Sequence, residues 1–245
     1  NVSGVCIAGI PIPVIGQNNF VAWGFTNSMV DDLDFFIETI NPDNNLQYKS
    51  GEKWLNIVVF EEKIFLKGGR DTTIQIRKTH HGPVVSDIHP LLKGTNYVMS
   101  MSWTGNWITD ELDAWVDLNI MKNWQDFTNG VRSFGVPGQN IIYADINGNI
   151  GWRPAVFIPM RKEGFSMIPR PGEDPSYDWK GKVPFSEMPF IYNPKNGYIS
   201  TANNKTIDES FSYYISGLWA DPSRAEQIKL RLDTLKNAKV QDMMS

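Results

Sequence analysis

The sequence predicts an α+β chain on three observations: short β-like runs fill the chain up to Trp103, two stretches with helical spacing come later, and a hairpin lies between those stretches. Residues Phe20 to Phe25, Trp54 to Glu61, Ile64 to Lys67 and Thr72 to Lys78 alternate Val, Ile, Phe and Trp with polar positions, as half-buried strands do. Gly68-Gly69 between the last two reads as a hairpin turn, and YVMSMSW closes the region with another strand at Trp103. From Glu111 to about Phe134, the residues Leu112, Trp115, Val116, Phe127 and Val131 recur at helical spacing, and an interruption near Lys122 and Asn123 divides the stretch into two helices. After Pro137, NIIYADINGNIGW is two apolar runs joined by an Asn147-Gly148 turn. Residues 153 to 195 are rich in Pro, Gly and aromatics, too apolar for a flexible linker, and read as an ordered excursion. A last helix is predicted with Asp221 as N-cap, Pro222 as its first residue, and Ala225, Ile228 and Leu232 along it.

Composition excludes several classes. With 245 residues, 41% hydrophobic and 20% charged, the chain is globular, of one or two domains. No apolar run is long enough for a membrane helix, so no membrane partner is expected. A net charge of -4 with scattered basic residues lacks the footprint of a nucleic-acid binder. The single cysteine, Cys6, rules out an internal disulfide framework and leaves the compartment open. The chain opens at Asn1 in sequence that reads like the middle of a domain, so a processed chain or a fragment is expected.

Three clusters could carry chemistry. His80 and His81 lie in KTHHGPVV, with His89 eight residues further on. Neighbouring strand residues point to opposite faces, so the two are not expected to share a ligand site, and Gly82-Pro83 points to a turn. Asp31, Asp32 and Asp34 form an acidic group that either binds a hard cation, with the Leu33 carbonyl between its carboxylates, or caps a following element. Asn203-Asn204 after the GYISTA strand is either a turn or the source of a side-chain amide for a developing oxyanion.

Taken in order, these segments carry a resemblance. GQNNFVAWGFTN, DDLDFF, THHGPVV, YADINGNIGW, YDWKGKVPFSEMP, NPKNGYISTANN and WADPSRAEQI are similar to consecutive motifs of the penicillin acylase family of N-terminal nucleophile hydrolases, within its β-chain. The match runs from about Val2 to Leu235. It implies part of a four-layer αββα sandwich, with residues 1–30 and 104–245 in the sandwich and a β-rich lobe inserted at 31–103. It also implies a parent enzyme that cleaves linear amides, such as β-lactam side chains or N-acyl-homoserine lactones, through an autocatalytically freed N-terminal nucleophile. That nucleophile would lie upstream of Asn1, so the chain alone is expected to be inactive without its upstream β-chain segment and α-chain partner.

The resemblance carries roles over to particular positions. Asn203 and the backbone N–H of Asn27 match the oxyanion donors, and Arg224 an arginine that orders the site. Phe25, Ser28 and Met29 fall on the acyl pocket, with Ile15 and Gln139 as further wall positions, and Phe25 and Met29 depart from the family residues there. Asp31, Asp34 and the Leu33 carbonyl match a structural Ca²⁺ site, expected to bind weakly here because Tyr213 stands where a further carboxylate is usual. No organic cofactor is implied, and the parent is expected to be periplasmic or secreted. The competing expectations are an inactive family member, or a carbohydrate- or peptide-binding module presenting Trp103, Trp107, Trp152 and Trp179.

Overall fold

A computed structural model describes residues 1–162, 167–208 and 210–243, so part of the excursion at 153–195, residues 163–166, lies outside the described residues. In chain order come strands β1 (Val2–Val5), β2 (Ile15–Asn18) and β3 (Val21–Asn27). They are followed by β4 (Leu33–Glu38), β5 (Ile40–Asn41), β6 (Asn44–Ser50), β7 (Lys53–Asn56), β8 (Val58–Ile64), β9 (Thr72–Lys78) and β10 (Val98–Trp103). Helices α1 (Glu111–Ile120) and α2 (Trp124–Gly130) precede β11 (Gln139–Asp145), β12 (Ile150–Ala155), β13 (Arg170–Pro171) and β14 (Ile191–Tyr192), and α3 (Ser223–Thr234) comes last.

The main sheet has six strands in the order β1-β2-β3-β11-β12-β14, every neighbouring pair antiparallel. Alternation gives it two chemically different faces. Val21, Trp23, Ile141 and Tyr143 point to one side, where they pack with Ala114, Trp115, Leu118, Phe127 and Val131 of the helical region. The two helices arise from local capping. Asp110 accepts the Asp113 N–H, Met121 turns extended after α1, and Asn123 accepts the Asp126 N–H to start α2. Asp126 in turn accepts from Lys122 N–H and Asn123 Nδ2, which fixes the break at those two residues.

Pro154 sits in β12 opposite Asn140, and β14 pairs with β12 only at Gly151 and Trp152, so the missing N–H breaks no ladder bond. All four residues of β1 are exposed on the far edge.

Residues 33–103 build further sheets: β10-β4-β13, β5-β6-β7 and the hairpin β8-β9. β13 joins β4 in parallel, which ties this lobe to the later part of the chain. The predicted run 54–61 divides at Ile57, whose N–H bonds to Leu46, so that β7 pairs with β6 while β8 pairs with β9. No separate strand forms at 64–67, because β8 ends at Ile64 and the chain turns through Gly68 and Gly69, both at left-handed φ. The last helix begins two residues after Asp221, whose Oδ1 accepts the Ser223 N–H.

Candidate functional site

The ladder between β3 and β11 sets the orientation of Asn27. Ser28 N–H donates to Gly138 O at 3.0 Å, and antiparallel bonding alternates along the strand, so the N–H and C=O of Asn27 turn away from β11. On that outer side the Asn27 carbonyl accepts Asn203 Nδ2 at 3.0 Å. Arg224 Nη2, on α3, donates to Asn203 Oδ1 at 2.8 Å and to Ala202 O at 2.7 Å. Because Arg224 donates only, the amide oxygen of Asn203 must face it, and the NH₂ group must face Asn27. One Nδ2 hydrogen is thus spent on the Asn27 carbonyl, which leaves the second hydrogen and the outward Asn27 N–H on one edge of β3. Asn203 holds a left-handed backbone, φ 62°.

The hydroxyls beside this donor pair are not poised for attack. Thr26 Oγ1 and Thr201 Oγ1 are bonded to one another at 2.7 Å. Ser28 Oγ is buried without a hydrogen-bond partner among the described residues, and a side chain at Gly138 would place its Cβ 2.4 Å from it.

Phe25, Asn27 and Gln139 share the helix-facing side of the sheet. Phe25 meets the Trp115 ring at 5.5 Å between centroids, and Gln139 Nε2 donates to Asn27 Oδ1 at 3.2 Å. Ile15 is not brought to that side. Its Cγ2 lies 3.9 Å from where a Gly24 side chain would point, and Gly24, adjacent to Phe25, faces the other way. Ser28 also faces away from Phe25, while Met29, at φ 54°, is exposed at the turn that follows.

The acidic segment is neutralised from within. Arg161 Nε donates to Asp34 Oδ2 at 2.7 Å, its Nη2 donates to the Asp31 carbonyl at 2.9 Å, and Trp179 Nε1 donates to the same Asp34 oxygen. Tyr214 donates to Asp31 Oδ2, and Leu33 meets Asp31 through its N–H rather than its carbonyl. Burial, the largest influence, pushes the Asp31 carboxyl up, against the lowering by Arg161. A guanidinium therefore occupies the space between the carboxylates, and this donor set does not fit a calcium ion. Tyr213 is turned elsewhere and donates to Glu187 at 2.5 Å.

The paired histidines depart from expectation. They lie in a tight turn after β9, where Thr79 and Gly82 exchange backbone bonds, so strand alternation does not apply and their rings stand 3.8 Å apart. His89 is exposed and separate, its Nδ1 accepting the Leu91 N–H. The four tryptophans form no common platform either: Trp152 is fully buried, Trp179 bonds Asp34 and packs edge-on against Trp107, and Trp103 donates to Asp32. Arg161 was not singled out from sequence, since its partners lie 127 and 130 residues away.

The model of the penicillin amidase family matches residues 1–245. The chain belongs to the penicillin amidase family. It is 32% identical to the acyl-homoserine lactone acylase QuiP of Pseudomonas syringae pv. syringae, over 100% of this chain and 29% of that protein. It is also 32% identical to penicillin G acylase of Escherichia coli, over 95% of this chain and 27% of that protein. The solved thermostable penicillin G acylase of Alcaligenes faecalis superposes with a TM-score of 0.79 at 26% identity, covering 98% of this chain and 45% of that one. The α+β architecture is therefore that of a penicillin acylase, and the chain spans less than a third of the curated relatives it matches. No helix among the described residues is long and apolar enough to cross a membrane.

Proposed function

We propose that the protein containing this chain hydrolyses linear amides, in the class of β-lactam side chains and N-acyl-homoserine lactones, and that this chain supplies the oxyanion-stabilising part of its site. The observation that carries the reading is the Arg224–Asn203–Asn27 arrangement, in which two N–H groups on one strand edge remain for an oxygen that becomes negative. Such donors gain strength as the carbonyl becomes tetrahedral, so they lower the barrier more than they tighten substrate binding.

The attacking group comes from outside these residues, because the neighbouring hydroxyls are mutually bonded or buried. It is the N-terminal Ser, Thr or Cys of an autocatalytically processed chain, whose amine accepts the proton. Residues 1–245 alone are accordingly inactive. The acyl group rests near Phe25 and Gln139, on the helix-facing side of the sheet. Arg161, rather than calcium, compensates the acidic segment. Export to the periplasm or medium belongs to the same reading.

The test uses the full-length, processed protein with a panel of acyl amides. Asn203→Ala should lower kcat by about 100-fold to 1000-fold with little change in KM. Unchanged turnover would remove the assignment.

A further inference from the structure

The turn carrying His80 and His81 meets Asp178 in an arrangement that the amide-hydrolysis reading does not use. His81 lies flat on Phe36, 3.7 Å between ring centroids, and is buried; its Nδ1 sits 2.9 Å from Glu38 Oε1 and its Nε2 3.1 Å from Asp178 Oδ1. His80 has its Nδ1 3.0 Å from the Tyr48 hydroxyl and its Nε2 3.5 Å from Asp178 Oδ2. Both imidazoles are thus anchored at Nδ1 and aim Nε2 at the two oxygens of one carboxylate.

We propose that His80, His81 and Asp178 form a zinc site that clips the inserted lobe to the Pro-rich segment after β13. Three features support it. The first is spacing, because the Nε2-to-oxygen distances bracket the roughly 3.4 Å edge of a tetrahedron whose metal bonds are near 2.1 Å. The second is the outer shell. Glu38 also accepts Thr79 and Ser100 hydroxyls, at 2.7 and 2.5 Å, and so is fixed as the carboxylate that orients a ligating histidine. The third is access, since the side chains of His80 and Asp178 are 32% and 34% exposed while that of His81 is 3% exposed, which leaves room for water at the open coordination position.

Gly82 keeps the turn tight: at φ 141°, a Cβ there would lie 2.1 Å from the Met101 carbonyl oxygen. The competing occupant of the same geometry is a proton, with His81 as an imidazolium between Glu38 and Asp178.

The test is zinc titration of the full-length protein after metal removal, by calorimetry and by cobalt substitution. We expect one equivalent to bind, with affinity about 10-fold to 100-fold weaker in Glu38→Gln, an outer-shell change. His80→Gln and Asp178→Asn should each abolish that equivalent while leaving amide turnover in place. No uptake by the wild type, or undiminished uptake in both ligand variants, would overturn the site. If a variant does not fold, the cobalt-loaded wild type decides by proton NMR: two exchangeable, paramagnetically shifted imidazole N–H signals support the assignment, and their absence refutes it.

Discussion

The main sheet and the inserted lobe are held together by different chemistry. Between the sheet and its helices, Leu118, Phe127, Ile141 and Tyr143 have no exposed surface and pack in one apolar cluster, from which only the Tyr143 hydroxyl reaches out, to Asp145. At the root of the lobe charged and polar groups are buried as deeply as the apolar ones around Phe36. Glu38 gathers His81, Thr79 and Ser100, and Arg161 lies among Asp34, Asp31, Trp179 and Tyr214. The hairpin β8-β9 beyond it is exposed along nearly its whole length. The sheet therefore draws its stability from burial, which is insensitive to pH, and the lobe draws its position from partners that must keep their charges.

The largest effect should come from the sheet. Phe127→Ala in the full-length protein should cost about 3–5 kcal/mol in denaturant unfolding, equally at neutral and mildly acidic pH. A loss below about 1 kcal/mol would mean that the helices do not rest on the sheet as described.

Next comes the acidic segment. Arg161→Leu leaves the buried Asp34 uncompensated and should cost about 3 kcal/mol, part of which Asp34→Asn on the same background should restore. Additive losses would show that the pair is not coupled.

A smaller effect sharpens the contrast through pH. Burial alone would raise the Glu38 carboxyl, but hydrogen bonds from His81, Ser100 and Thr79 outweigh it and hold the group below its ordinary 4.5. A carboxyl lowered by folding contributes stability that is present above its unfolded value and is lost as pH falls through the folded one, so the contribution should fade below about pH 4.5. Asp31, which burial raises, works in the opposite direction, and comparison with Glu38→Gln isolates the Glu38 part. Equal acid sensitivity in wild type and Glu38→Gln would sink the account.

The smallest effect concerns calcium. Adding it to metal-free protein should leave the melting temperature unchanged, because Arg161 already fills the acidic segment. A rise of several degrees would reverse that reading.

The same division governs how much was legible in the sequence. The helix pair and the NIIYADINGNIGW hairpin were readable because apolar spacing, the interruption near Lys122 and Asn123 and the Asn147-Gly148 turn are local signals. The α+β class follows from them. In the candidate site, the Asn203, Asn27 and Arg224 positions came through family resemblance, since the bonds joining them span 176 and 21 residues. Arg161 was invisible for the same reason. The His80-His81 expectation failed because it assumed a strand where the backbone turns, and no periodicity encodes which way two turn residues aim.

Position 203 shows how a backbone constraint narrows a chemical choice. Its left-handed φ of 62° is tolerated without penalty by glycine and, among side chains, chiefly by asparagine and aspartate. Glycine would keep the loop but donate nothing. Aspartate would place a negative charge against a developing one. Asparagine alone satisfies both demands, so Asn203→Gly separates shape from chemistry: the loop survives and the donor is lost.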